Sequence, residues 1–172
     1  MKRFLIFIGI LAGNLALAGS LPTASYVEVE RYVGKWNSIT SIPQFFSKSC
    51  LAQTAEYEIL TENSISVLNT CYKKGGKVTT ITGKAVVVNP RTNAELEVTF
   101  DNFFTRLFKV KGDYTIIKLD PNYEYVMIGS KDRKTLWIMS RETTMPKNIL
   151  QKYVDFAAAN GFDVTKLVDS KF

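Results

Sequence analysis

Between residues 34 and 140, apolar and polar side chains alternate with the period of two that a half-buried strand imposes, because successive Cβ atoms point to opposite faces. The clearest case sets Leu96, Val98 and Phe100 against Glu95, Glu97 and Thr99. From Leu51 to Ile59 the residues Gln53, Ala55, Tyr57 and Ile59 alternate with Ala52, Thr54, Glu56 and Glu58, which puts the charged pair on the solvent side and the odd positions inside. Ile65, Val67, Asn69 and Cys71 repeat that register. Val78 to Val88 reads as the longest strand, with Gly83 predicted as a bulge. Gly34 to Ser41, Lys111 to Leu119, Tyr123 to Ser130 and Lys134 to Ser140 complete the set.

Turn chemistry separates these runs. Pro43 cannot donate to a ladder, so residues 42 to 49 form a loop. Thr61-Glu62-Asn63, Lys73 to Lys77, Asn89 to Asn93, Asp120-Pro121-Asn122 and Lys131-Asp132-Arg133 are further turns, and Asp101 to Val110 is a longer connection. Past Arg141 the period changes: Ile149, Leu150, Tyr153, Val154, Phe156 and Ala157 recur at spacings of three and four, Pro146 suits the first helical position, and Gly161 ends the helix. Phe162 to Val168 is expected to return as a short extended tail. Eight sequential strands and one amphipathic helix predict an all-β fold, an eight-stranded antiparallel up-and-down β-barrel with one C-terminal α-helix packed outside.

The N-terminus changes the picture of where such a barrel works. Lys2 and Arg3 precede an apolar run from Phe4 to Leu17, and Ala16-Leu17-Ala18 carries the small residues that signal peptidase requires. Residues 1–18 are therefore expected to be a signal peptide cleaved after Ala18, which lowers the formal charge from +6 to +4. Residues 19–31 then form an irregular N-terminal segment leading into the barrel domain, 32–172. No later segment is long and apolar enough to span a bilayer. The expected location is the periplasm or the medium, in soluble form. Cys50 and Cys71 are the only cysteines, and in an exported chain they pair most simply with each other, the alternative being two free thiols. A hairpin folded at residues 61–63 sets opposite each other positions whose numbers sum to about 121 to 124. Cys50 and Cys71 fit that sum, and a bridge closing such a loop adds roughly 3 kcal/mol.

Tyr32-Val33-Gly34-Lys35-Trp36, Asp120 to Tyr125, and Leu136 to Arg141 together resemble the three signature regions of the lipocalins, and more narrowly the bacterial outer-membrane-lipoprotein, apolipoprotein-D-like group. The likeness covers about Tyr32 to Val168. It implies a structural set of Gly34, Trp36, Asp120, Tyr125 and Arg141, with Trp36 plugging the closed end and Arg141 stacked over it. It also implies binding of fatty acids or lysophospholipids in envelope lipid transport, storage or membrane biogenesis. Bacterial members of this type are often anchored through a cysteine at the cleavage point, whereas here that point reads Ala18-Gly19-Ser20. Asn37 stands where an aromatic usually follows the tryptophan, and the middle motif reads Asp120-Pro121-Asn122-Tyr123-Glu124-Tyr125 instead of the commoner threonine-led form.

The register of the strands itself proposes a binding surface. Its inward positions are Ala55, Tyr57, Val67, Asn69, Ile81 and Ala85 on the first half of the barrel, and Leu96, Val98, Phe100, Tyr114, Trp137 and Met139 on the second. The two alanines are expected to leave volume, and Phe45 and Phe46 on the first loop are placed with the ligand. The lining is mostly apolar, which suits a hydrocarbon chain. The connections at the open end carry Lys48, Lys73, Lys74, Lys77, Arg106, Lys109, Lys131, Arg133 and Lys134 against Asp101 and Asp132. Of these, Lys73, Lys74, Lys77 and Lys109 are taken as the rim for an anionic head group.

With no histidine, a catalytic triad of the usual kind is excluded, and Glu56, Glu58, Glu95 and Glu97 face outward instead of one another. No phosphate loop or zinc spacing is present, so neither cofactor nor metal is predicted. The aromatics alternate into the interior and form no stacking platform for nucleic acid. The expected partner is an acyl lipid, with transient membrane contact, and the chain is a monomer or weak homodimer. Two rivals remain: a lipid-modifying enzyme using Tyr57, Tyr114 or Cys71, and a module that binds proteins through its loops.

Overall fold

The computed structural model describes residues 20–101 and 112–172. Eight strands follow in order: β1 (Gly34–Ser41), β2 (Cys50–Thr61), β3 (Ser64–Lys73), β4 (Val78–Val87), β5 (Glu95–Phe100), β6 (Gly112–Leu119), β7 (Tyr125–Gly129) and β8 (Leu136–Ser140). Each is antiparallel to the next, and β1 pairs with both β2 and β8, so the sheet closes on itself. Helix α1 (Val29–Tyr32) precedes β1, and helix α2 (Lys147–Ala159) follows β8. The predicted leader, residues 1–18, and the connection carrying Phe103, Phe104, Arg106, Leu107, Phe108 and Lys109 lie outside the described residues.

The C-terminal tail differs from the expected extended return. A single 3₁₀ turn (Val164–Lys166) leads into β9 (Val168–Asp169), which pairs with Thr40 and Ser41 of β1. β1 and β2 are paired only over Gly34–Asn37, and beyond that point the tail bridges them: Ser170 donates its N–H to Ile39 and Lys171 donates to Leu51. Backbone groups that diverging strands would strand without partners are satisfied this way.

Three local expectations also need correction. Gly83 is not a bulge, since both ladders run through it in regular register; a Cβ there would lie 2.6 Å from the Thr99 carbonyl, so glycine is required for close strand approach. Register shifts fall instead at Ser38/Thr40, Cys50/Ala52, Ile59/Thr61 and Ile116/Lys118. Pro146 caps α2 with an extended ψ of 133° instead of entering it, and its carbonyl accepts from Ile149 and Leu150. β7 starts two residues later than predicted, because Tyr123 adopts a φ of 61° in a turn closed by the Asp120 N–H to the Tyr125 carbonyl.

Two cores result. Inward residues of all eight strands form the bore cluster, closed below by Val27, Tyr32 and Trp36. Outward residues Ile117, Met127, Leu136 and Ile138 pack against Tyr153 and Ala157 of α2, with Phe162 beside them. β7 is therefore apolar on both faces and reads as a continuous run instead of an alternation.

Cys50 and Cys71 are bridged, with their Cα atoms 5.3 Å apart. Cys71 stands opposite Gln53 and Cys50 opposite Lys73, so the two are not the directly facing pair that the numbering suggests. The irregularity at Leu51 brings them together. Denatured, unreduced protein should therefore gain no mass on alkylation; addition of two alkyl groups per chain would remove the bridge.

Candidate functional site

The closed end of the barrel is built from segments far apart in sequence. Glycine at position 34, with φ of 91°, turns the chain out of α1 into β1 and leaves Trp36 fully buried across the floor. The Trp36 indole N–H donates to the Tyr32 carbonyl at 2.8 Å. Arg141 lies 3.8 Å over the indole ring. Its guanidinium donates to the carbonyls of Arg31, Tyr32, Lys35 and Tyr123, which ties α1, β1 and the β6–β7 turn to the end of β8. Asp120 holds that turn by accepting from the Asn122 N–H, and the Tyr125 carbonyl accepts from the Tyr153 hydroxyl of α2. Asn37 points out of the bore and donates to the Arg141 carbonyl at 2.7 Å, so its replacement of an aromatic serves the same junction.

Above the floor, Tyr32, Tyr57 and Tyr114 meet at their hydroxyls. Tyr114 Oη lies 2.5 Å from Tyr32 Oη and 2.9 Å from Tyr57 Oη. Burial raises all three above the ordinary phenol range, Tyr57 to about 12, so each is a neutral hydroxyl at neutral pH. Leu96, Val98, Met139, Val126 and Ile128 pack around them.

Towards the mouth the wall becomes accessible. Asn69, Ile81, Phe100, Tyr114 and Trp137 are half-buried, and Ala55–Asn69–Ile81 are successive partners across β2, β3 and β4. The Asn69 amide makes no hydrogen bond among the described residues. Gln53 faces the same way and donates to Ser41 Oγ. Beside it a cleft of about 360 Å³ opens between the first loop and the C-terminal tail, edged by Lys48, Leu51, Lys166 and Ser170.

This arrangement, a closed antiparallel barrel with a tryptophan floor clamped by an arginine, matches the family model of the lipocalin-like domain over residues 27–171. The chain is a lipocalin. It is 32% identical to the outer membrane lipoprotein Blc of Vibrio cholerae over 168 residues, covering 96% of this chain and 95% of that one. It is 35% identical to temperature-induced lipocalin-1 of Arabidopsis thaliana over 144 residues, covering 82% and 77%. Insecticyanin from the tobacco hornworm Manduca sexta shares the fold, with a TM-score of 0.65 at 16% identity over 90% of this chain and 85% of that one.

Within this lipocalin ten of the twelve strand residues predicted to face inward belong to the bore cluster or pack against it, Asn69 and Ile81 being placed by their pairing with Ala55, and the twelve fall into two groups. Ala55, Tyr57, Val67, Ala85, Leu96, Val98 and Met139 are buried in contact with one another. The two alanines leave no accessible volume, since Ala55 and Ala85 are 5% and 1% exposed. Neighbouring large side chains fill the space beside them. Phe45 and Phe46 do not join the bore cluster: they are 87% and 56% exposed and pack edge to face on each other. Lys73, Lys74 and Lys77 reach solvent without an ion pair among the described residues.

Three other bases at the open end are already engaged. Lys131 pairs with Glu95 at 2.8 Å and holds that carboxyl below its ordinary range, Lys134 pairs with Asp132, and Arg133 donates to the Asn160 carbonyl at the end of α2. Tyr32 was not legible as a lining residue because it precedes the first strand, where no alternation assigns a face. Gln53 had the right parity but lacked the apolar character of most of the others.

Proposed function

We propose that this lipocalin binds a single acyl lipid, a fatty acid or lysophospholipid, with its chain in the bore and its anionic head at the mouth, and carries or stores it without chemical change. The observation that carries this reading is the half-buried apolar wall of Ile81, Phe100 and Trp137, which leads towards lysines 73, 74 and 77, none of them in an ion pair among the described residues. Burial of a sixteen-carbon chain at about 0.8 kcal/mol per methylene, less the cost of association, supports micromolar or tighter binding. Export through residues 1–18 would place it in the periplasm or medium as a soluble monomer or weak dimer. Exposed Phe45 and Phe46 beside Lys48 suit brief contact with a membrane surface that supplies or receives the lipid.

Native mass spectrometry of protein exported to the periplasm tests this, with a co-purifying acyl lipid as the expected species. In solution, palmitate should change the emission of Trp137, while buried Trp36 stays constant. A protein that purifies empty and does not respond to palmitate would reject the reading. Replacing Lys74 and Lys77 by Ser should weaken palmitate binding only a few-fold at low salt and not measurably at high salt, because exposed charges are screened. A loss that persists at high salt would give the lysines a different role.

A further inference from the structure

We infer that the buried end of the bore recognises an uncharged oxygen at the far end of its cargo, and that Tyr114 is the donor. This rests on the reading of the bore as a lipid site. Three hydroxyl groups meet there and carry three protons, yet they make only two hydrogen bonds among themselves. One proton is therefore left over. Tyr32 and Tyr57 are buried to 2% and 3% exposure, and among the described residues neither hydroxyl has a partner except Tyr114. An unsatisfied buried donor is costly, whereas a phenol oxygen can accept twice. The satisfied arrangement has Tyr32 and Tyr57 both donating to Tyr114, whose own proton is directed elsewhere. Of the three, Tyr114 is the half-buried one. Its proton has no acceptor among the described residues.

Position and charge define what can accept it. Tyr114 Oη touches Tyr32 Oη, and the Tyr32 ring packs against the Trp36 floor, so the cluster is deep. Along β3, Val67, the partner of Tyr57, lies six residues from Lys73. That is about 20 Å of strand, or about 15 Å of depth at the usual tilt of barrel strands. An extended sixteen-carbon chain held at the lysines spans that depth and brings its last carbon to the tyrosines. A carboxylate at this end is disfavoured, because a buried charge needs more than one donor and the Arg141 guanidinium is committed to four backbone carbonyls. A hydroxyl, ketone or ether oxygen needs only the one hydrogen bond. Asn69, two residues mouthward of Val67, adds an amide that makes no hydrogen bond among the described residues, for an oxygen further up the chain. The chemical class is thus an amphiphile oxygenated at or near the end remote from its anionic head.

The test compares hexadecanoic acid with 16-hydroxyhexadecanoic acid by titration calorimetry on the wild-type protein, Tyr114→Phe and Tyr57→Phe. Wild type should bind the hydroxy acid about threefold to tenfold more tightly, the range of one net hydrogen bond. Tyr114→Phe should erase that preference, bringing the ratio of the two affinities to about one. Tyr57→Phe keeps the Tyr114 proton and should keep the preference, which separates recognition from a purely structural role of the cluster. If Tyr114→Phe fails to fold, the wild-type ratio and Tyr57→Phe still decide. Equal affinity for the two acids in wild type, or a preference that survives in Tyr114→Phe, overturns the inference and leaves the lipid site standing. If neither acid binds wild type, the lipid site falls, and this inference falls with it.

Discussion

Replacing Ile81 by tryptophan is expected to abolish binding of long-chain fatty acids while the barrel remains folded. Ile81 is half-buried on β4 with Asn69 as its cross-strand neighbour, so an indole there extends into the accessible part of the bore instead of into packed side chains. Excluding even three methylenes of the chain costs about 2.4 kcal/mol, close to a fiftyfold loss of affinity. Ala55 and Ala85 are poorer positions for the same experiment. Both are closely packed, and enlarging either would overfill the core at a cost of about 1 to 3 kcal/mol, which confuses loss of site with loss of fold. Circular dichroism should show unchanged strand content for Ile81→Trp, and Trp137 emission should no longer respond to palmitate. The response must be read as a change on titration, because the variant carries a third indole. Unchanged palmitate affinity in the folded variant would move the site out of the bore, with the cleft between Lys48 and Ser170 as the next place to look.

Much of this site was legible because a strand has only two faces. Once Glu56 and Glu58 fixed the outer face of β2, pairing carried the same parity to Asn69, Ile81 and Val98, and an error of one residue would have turned every side chain to the wrong side. Parity says which way a side chain points but not how much room it finds there. Ala55 and Ile81 share a row of the bore wall, yet one is packed against the floor and the other is accessible, and the tilt of the barrel that separates them has no sign in a local pattern. Tyr32 lies outside any alternation, and β9 is two residues long, too short for periodicity to register. Gly83 shows the opposite failure: the residue was noticed for the right reason, an unusual demand on the backbone, but the demand is close approach to Thr99 and not an extra residue in the ladder.

Arg141→Ala should cost stability and spare affinity. The side chain donates to four carbonyls on three segments, which are also linked through Trp36 and through Arg31 on Pro121 and Tyr123, and it covers the indole face at 3.8 Å. Hydrogen bonds from a charged donor and a partly desolvated cation–π contact together suggest about 2 to 4 kcal/mol, a large share of the stability of a domain this size. The melting temperature should fall by about 5 to 12 °C. Arg141→Lys should recover little, since a single ammonium on a flexible stem cannot reproduce a planar fork that reaches α1, β1 and the β6–β7 turn at once. Palmitate affinity of the folded fraction, measured well below the new melting point, should stay within about twofold of wild type, because the guanidinium lies on the far side of Trp36 from the accessible bore. The two readouts separate the alternatives: a collapse of affinity with an unchanged melting temperature would make Arg141 a ligand contact, and the closed end would then be part of the binding site instead of its support.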